Sequence, residues 1–141
     1  MRLIICGSRS YENQLTIEDV DFFIKKFKLK PTVVLDGGCR GPDDIGAAWA
    51  IEKGIEVLDY PAFWDKIEGC KTVRKNKYGK LYNYMAGFER NQRMADNADA
   101  LLYFWDGQSS GTQDMVERAV KAGLDIYEAK PNPEYMIELE D

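Results

Sequence analysis

The chain has 141 residues, 45% hydrophobic and 30% charged, with 12 Gly and 5 Pro; at about 150 residues per domain this is one globular domain with a core, neither disordered nor collagen-like. Nineteen basic against 24 acidic residues give a net charge of −5, a field that repels nucleic-acid backbones and anionic membranes. No histidine is present, which excludes Ser-His-Asp and Cys-His catalysis and nearly all catalytic zinc sites.

Leu3-Ile4-Ile5-Cys6 is fully apolar and reads as a strand buried on both faces, ended by Gly7-Ser8-Arg9. From Thr16 the pattern becomes helical, with Val20, Phe23, Ile24 and Phe27 on one stripe, Thr16 and Asp19 as an N-terminal cap, and Pro31 as the stop. Thr32 to Leu35 is a second strand, broken by Asp36-Gly37-Gly38, and Pro42 opens a second helix with Ile45, Ala48 and Trp49 as its buried stripe. Glu56 to Tyr60 reads as a third strand.

The stretch from Pro61 to about Tyr84 is polar and Lys-rich with no sustained period, and reads as a long connection. Between Asp65 and Lys80 it carries five Lys and Arg74 against Asp65 and Glu68, a local +4 inside an acidic chain. The segment from Ala86 to Met94 opens the next helix, whose stripe runs from Asn91 through Met94, Ala95 and Ala98. Ala100 to Phe104 is a fourth strand, Gly107 to Thr112 a turn, Val116, Ala119 and Val120 the stripe of a last helix, and Asp125 to Glu128 a last strand. Strands alternating with helices, without a repeat or a hairpin signal, predict an α/β fold: a single Rossmann-like domain over residues 1–130, an open and mainly parallel sheet with helices on both faces. Residues 131–141 form an acidic tail with Glu134, Glu138, Glu140 and Asp141.

In such a sheet the loops after the strands meet along one edge, where ligands bind. Three of these loops are rich in glycine: Gly7-Ser8-Arg9, then Gly37-Gly38-Cys39-Arg40-Gly41-Pro42-Asp43, then Gly107-Gln108-Ser109-Ser110-Gly111-Thr112. Each precedes a helical pattern, and a helix N-terminus with a close backbone suits phosphate. Arg9 and Arg40 are either phosphate ligands or solvated surface side chains. Arg90 and Asn91 fall in the first turn of their helix, at the ligand edge, where Asn91 either touches ligand or satisfies loop backbone. Trp64 either stacks on a base or roofs the core, and Trp105 roofs the core. Neither a P-loop nor a Gly-x-Gly-x-x-Gly after the first strand occurs, which disfavours NTPase and NAD dehydrogenase chemistry.

Cys6, Cys39 and Cys70 are widely spaced, so no disulfide framework or metal site is indicated and a cytoplasmic, reducing setting is expected. The first apolar run is too short for a signal segment and none approaches a membrane span. No cofactor is expected. Phe22, Tyr82 and Tyr84 are read as exposed rings that leave room for a homodimer.

Four motifs carry a family resemblance. They are Ile4-Ile5-Cys6-Gly7-Ser8-Arg9 with Tyr11; Gly37-Gly38-x-Arg40-Gly41-x-Asp43 with Trp49-Ala50; Pro61-Ala62-x-Trp64 with Ala86-Gly87-x-x-Arg90-Asn91-x-x-Met94; and Phe104-Trp105-Asp106-Gly107-x-Ser109-x-Gly111-Thr112. In this order they resemble the SLOG superfamily of Rossmann-like proteins, which takes in the LOG enzymes and DprA, and specifically its YspA/YpsA-related branch. The resemblance implies a nucleotide or nucleotide-derived ligand over the Gly37 and Gly111 loops. LOG enzymes, which hydrolyse N-glycosidic bonds, resemble Pro-Gly-Gly-x-Gly-Thr-x-x-Glu at the last motif, with a catalytic Glu. Here that position is Met115, and the nearest carboxylate, Asp114, comes one residue early, a rotation of about 100° around a helix. The Lys-rich stretch from Ile67 to Tyr84 also expands a link that is short in the branch.

The expected function is therefore capture of a nucleotide-derived molecule, as a sensor or sequestering protein. The alternative is an N-glycosidic hydrolase of a nucleoside phosphate or ADP-ribose derivative using Asp114 or Asp106. A third reading, single-stranded DNA binding in the manner of DprA through Lys71 to Lys80, is opposed by the acidic total.

Overall fold

The computed structural model describes residues 1–131, so the acidic tail from Asn132 onward lies outside the described residues. A five-stranded, all-parallel sheet forms the centre of the molecule. Its strands are β1 (Arg2–Gly7), β2 (Val33–Asp36), β3 (Glu56–Asp59), β6 (Ala100–Phe104) and β7 (Asp125–Glu128), in the order β3-β2-β1-β6-β7. The chain winds outward from β1 to β3, then returns to place β6 on the other side of β1, so the winding direction reverses between β1 and β6.

Alternation along β1 splits the core into two layers. Leu3 and Ile5 face α1 (Ile17–Lys26) and α2 (Pro42–Glu52), in a cluster with Phe23, Trp49 and Phe104. Ile4 and Cys6 face α3 (Ala86–Asp96) and α4 (Ser110–Lys121), with Leu35, Met94, Leu101, Met115 and Ala119. The α/β fold expected from the strand and helix alternation is thus the fold found. Helix α1 begins as predicted: Thr16 Oγ1 accepts from the Asp19 N–H and Asp19 returns the bond to the Thr16 N–H, a capping box.

Several details differ from the sequence reading. The buried side of α2 is Gly46, Ala47, Trp49 and Ala50, while Ile45 and Ala48 are only half-buried; the helix lies so close to β1 that small residues face it. In α4 the buried positions are Thr112, Met115 and Ala119, and Val120 points to solvent. Phe22, read as an exposed ring, is buried edge-on against Phe23. Arg90 and Asn91 belong to the second turn of α3, because that helix already starts at Ala86.

The largest correction concerns the Lys-rich connection, where no hairpin signal was read. It contains one: β4 (Val73–Lys75) pairs antiparallel with β5 (Leu81–Asn83) as a separate two-stranded sheet. Asn76 closes the turn, its Oδ1 accepting from the Tyr78 and Lys80 N–H groups at 2.9 and 3.0 Å. Gly79 there takes a φ of +79°, a left-handed conformation suited to glycine. The base is fixed by Asn83, which is buried: its N–H donates to the Trp64 carbonyl, its Oδ1 accepts from Thr72 Oγ1 and the Met85 N–H, and its Nδ2 donates to Glu89.

Candidate ligand-binding site

The carboxyl ends of β1 and β6 are stitched together at the point where the winding reverses. A Cβ on Gly7 would lie 2.3 Å from the Phe104 carbonyl oxygen and 2.6 Å from Pro42 Cγ, so the strand can enter its loop only as glycine. Ser8, fully buried, donates its N–H to the Phe104 carbonyl and accepts the Asp106 N–H on its hydroxyl. Asp106 then organises the loop before α4. Its Oδ1 accepts from the N–H groups of Gln108 and Ser109 at 2.8 and 2.9 Å, and its Oδ2 from the Ser10 hydroxyl at 2.9 Å. Those donors favour the charged form and hold its pKa down at about 2.

Between these loops, α2 and α3 lies a cavity of about 360 Å³, at the carboxyl edge of the sheet where ligands of doubly wound folds bind. Arg9 and Ser10 enter it from the first loop, Asp106, Ser109, Gly111 and Thr112 from the last, and Cys6, Gly7 and Cys39 from its floor. Trp64, Tyr84 and Phe88 supply rings on the side of the insertion. Helix α4 presents its first turn here without a side-chain cap and without an acidic residue in that turn, so the partial positive charge of its start faces the space, beside the Asp106 carboxylate that takes the Gln108 and Ser109 N–H groups.

Arg90, buried, forms the inner wall. Its guanidinium donates to the Gly37 carbonyl and to Cys39 Sγ, and its Nε to Asn91 Oδ1 at 3.1 Å. Asn91 spends its amide on the Gly111 carbonyl and on Asp114 Oδ2, at 3.3 and 3.0 Å, while still lining the cavity. Asn91 thus satisfies backbone at the start of α4 and also borders the cavity. Asp43 is buried at 5% exposure on the α2 side. Burial, with Asp36 adding like charge, pushes its carboxyl up to about 7 despite Arg90 and the Gly7 N–H.

Ten of the residues read as ligand contacts or carboxylates from sequence line the cavity: Gly7, Arg9, Asp43, Trp64, Arg90, Asn91, Asp106, Ser109, Gly111 and Thr112. The others stand beside it. Ser8 and Gly37 brace the loops, Gly41 precedes α2, and Gly38, Gly107, Ser110 and Arg40 are exposed and outside the lining. Asp114 turns away, its Oδ2 bridged to Arg118 Nε at 2.8 Å, while Arg118 also reaches Gln92, so the group clasps α3 to α4. Trp105 donates its ring N–H to the Ser109 carbonyl and is half-buried. Met115, in place of the LOG-type Glu, borders the cavity from α4 together with Thr112.

Ser10, Tyr84, Gly87, Phe88 and the two cysteines were not read as site residues. A helical-face argument reaches some of them: Gly111, Thr112 and Met115, like Gly87, Phe88 and Asn91, fall on one face at i, i+3 or i+4. Among the described residues no group of three or more His, Cys, Asp or Glu side chains is placed to hold a metal ion, and no helix is long and apolar enough to cross a membrane.

The family model of the YspA, cpYpsA-related SLOG family matches residues 1–66. The chain is also 32% identical over 133 residues to the Gene 61 protein of Mycobacterium phage D29, covering 89% of this chain and 93% of that protein. The chain belongs to the YspA, cpYpsA-related SLOG family. Its fold is shared with DNA processing protein A (DprA) from Streptococcus pneumoniae, a SLOG member, at a TM-score of 0.65 and 16% identity over 99% of this chain. The chain spans 55% of the length of that structure. In this SLOG protein the family-matched segment ends at residue 66, before the hairpin.

Proposed function

We propose that this protein binds a nucleotide or nucleotide-derived small molecule in the cavity between β1, β6, α3 and α4, as a sensor or sequestering protein. The observation that carries the reading is the convergence of unlike surfaces on one space: the uncapped first turn of α4 and Arg9 on one side, Trp64, Tyr84 and Phe88 on the other. Phosphate suits the first set, through backbone N–H groups and a guanidinium. A base suits the second, by stacking. The volume of about 360 Å³ lies within the range of small-molecule pockets. The SLOG membership agrees with this class of ligand.

A thermal-shift and calorimetric panel of nucleoside mono- and diphosphates and ADP-ribose tests it; a ligand at about 100 times its Kd adds about 2.7 kcal/mol of stability. Arg9→Glu abolishes the shift, whereas Arg40→Glu, outside the cavity lining, keeps it.

A second reading, hydrolysis of an N-glycosidic bond, is favoured by one feature: the Asp106 carboxylate borders the cavity and stays ionised, as a group facing an oxocarbenium-like centre would. Release of free base from the same panel, lost in Asp106→Asn, supports it. Intact ligand recovered after long incubation removes it.

A further inference from the structure

The hairpin points to a second binding surface, whose exposed cations and Tyr78 lie outside the cavity lining although Tyr84 at its base reaches the cavity. Residues 69–84 contain Lys71, Arg74, Lys75, Lys77 and Lys80 and no carboxylate. The chain's −5 thus divides into +5 for this segment and −10 for everything else. The net charge reads as an acidic protein with no affinity for polyanions; the structure places the local positive charge on a hairpin whose two strands form a sheet of their own, with Arg74 and Lys75 on β4 and Lys71, Lys77 and Lys80 beside the strands. Among the described residues only Lys80 of these five is in a salt bridge, with Asp65 at 3.0 Å. Arg74 lies over the Tyr84 ring, 3.8 Å from its centroid. Lys71, Lys75 and Lys77 are exposed, with no carboxylate within ion-pair distance among the described residues.

Two of the large hydrophobic side chains exposed among the described residues, Tyr78 and Leu81, lie on the same hairpin. Tyr78 stands at the tip of the turn at 82% exposure, with Lys77 Nζ 5.1 Å from its ring centroid.

We propose that this hairpin binds single-stranded nucleic acid, its lysines contacting phosphates and Tyr78 stacking on a base. An acidic peptide would use the cations and leave the ring face unpaired, whereas an unpaired strand offers phosphates and π-faces together. A duplex hides its base faces, so the ring selects the single strand. The negative remainder of the chain keeps phosphate backbones off every other face, which restricts contact to the hairpin. The surface lies beyond the family-matched residues.

Fluorescence anisotropy of the full chain with a labelled oligothymidine of about 20 nucleotides tests the proposal. Binding is expected at low salt, falling steeply as salt rises. The triple variant Lys71→Glu, Lys75→Glu, Lys77→Glu is expected to lose at least tenfold in affinity, and Tyr78→Ala several-fold with the salt slope kept. These side chains are exposed, so unchanged circular dichroism and unchanged nucleotide thermal shifts accompany both losses. No binding at low salt overturns the proposal, as does binding that survives the triple reversal. Competition by polyglutamate equal to that by unlabelled oligothymidine, or full affinity in Tyr78→Ala, also overturns it and leaves a non-selective cationic patch.

Discussion

Asp43 has its carboxyl group 5% exposed on the cavity wall, with the Gly7 N–H as a donor and Asp36 adding negative charge. Its folded pKa of about 7 lies above the ordinary value of 3.8. Below pH 4 the group is protonated in folded and unfolded chains alike and costs nothing. Between about pH 4 and 7 the unfolded chain ionises and the folded one does not, so stability falls with rising pH by up to about 1.4 kcal/mol per unit, then levels off. Asp43→Asn, which keeps the shape and the acceptor for Gly7, should flatten this decline and leave the variant more stable than the parent at pH 8; urea titrations at pH 4 and pH 8 measure it. An equal decline in both proteins would show that Asp43 is already ionised when folded. Asp114 is different, a structural carboxylate between Arg118 and Asn91. Asp114→Ala should lower stability by about 1–2 kcal/mol in thermal unfolding, through the stranded Arg118 and Asn91 donors.

At the scale of elements, α2 packs closely against β1 at Gly46. A Cβ on Gly46 would come within 2.6 Å of Ile5 Cγ2 and 2.7 Å of its Cβ, a branched side chain in mid-strand that cannot move aside. Alanine improves helix propensity by about 1 kcal/mol, yet the overlap outweighs it: Gly46→Ala should lose about 1–3 kcal/mol net by urea unfolding. A gain in stability would mean that α2 can slide away from the sheet. This glycine escaped the sequence reading, which assigned the buried stripe to Ile45, Ala48 and Trp49, because apolar periodicity is blind to a face made of small residues. The hairpin escaped for a related reason. Its strands are three residues each, β4 with two cations in its three positions, so no alternation develops, and only Asn76 with Gly79 marks the turn. The start of helix α1 was legible to the residue, since Thr16 and Asp19 form a local capping box that needs no tertiary partner, whereas the helix ends at Lys26, before the stop read at Pro31.

Across the whole molecule, the parallel sheet was legible because strands buried on both faces are written as unbroken apolar runs, as in Leu3 to Cys6 and Ala100 to Phe104. The candidate site was legible where it is made of loops at the sheet edge, and half of it is. The rings of Tyr84 and Phe88 reach the cavity only through the packing of the insertion and α3, and Arg40 leaves it because the loop before α2 turns its side chain outward; neither outcome is encoded in local spacing. The cavity and the hairpin divide the molecule into two charge environments: one open cleft where Arg9 and α4 favour phosphate, and one exposed cationic ribbon on an otherwise negative chain. The central claim concerns the first. Isothermal titration calorimetry of the nucleotide panel against the parent, Arg9→Glu and Arg40→Glu tests it most directly. The account predicts saturable one-site binding of at least one nucleotide to the parent and to Arg40→Glu, with none to Arg9→Glu. Absence of heat for every ligand, or binding that persists in Arg9→Glu, contradicts it.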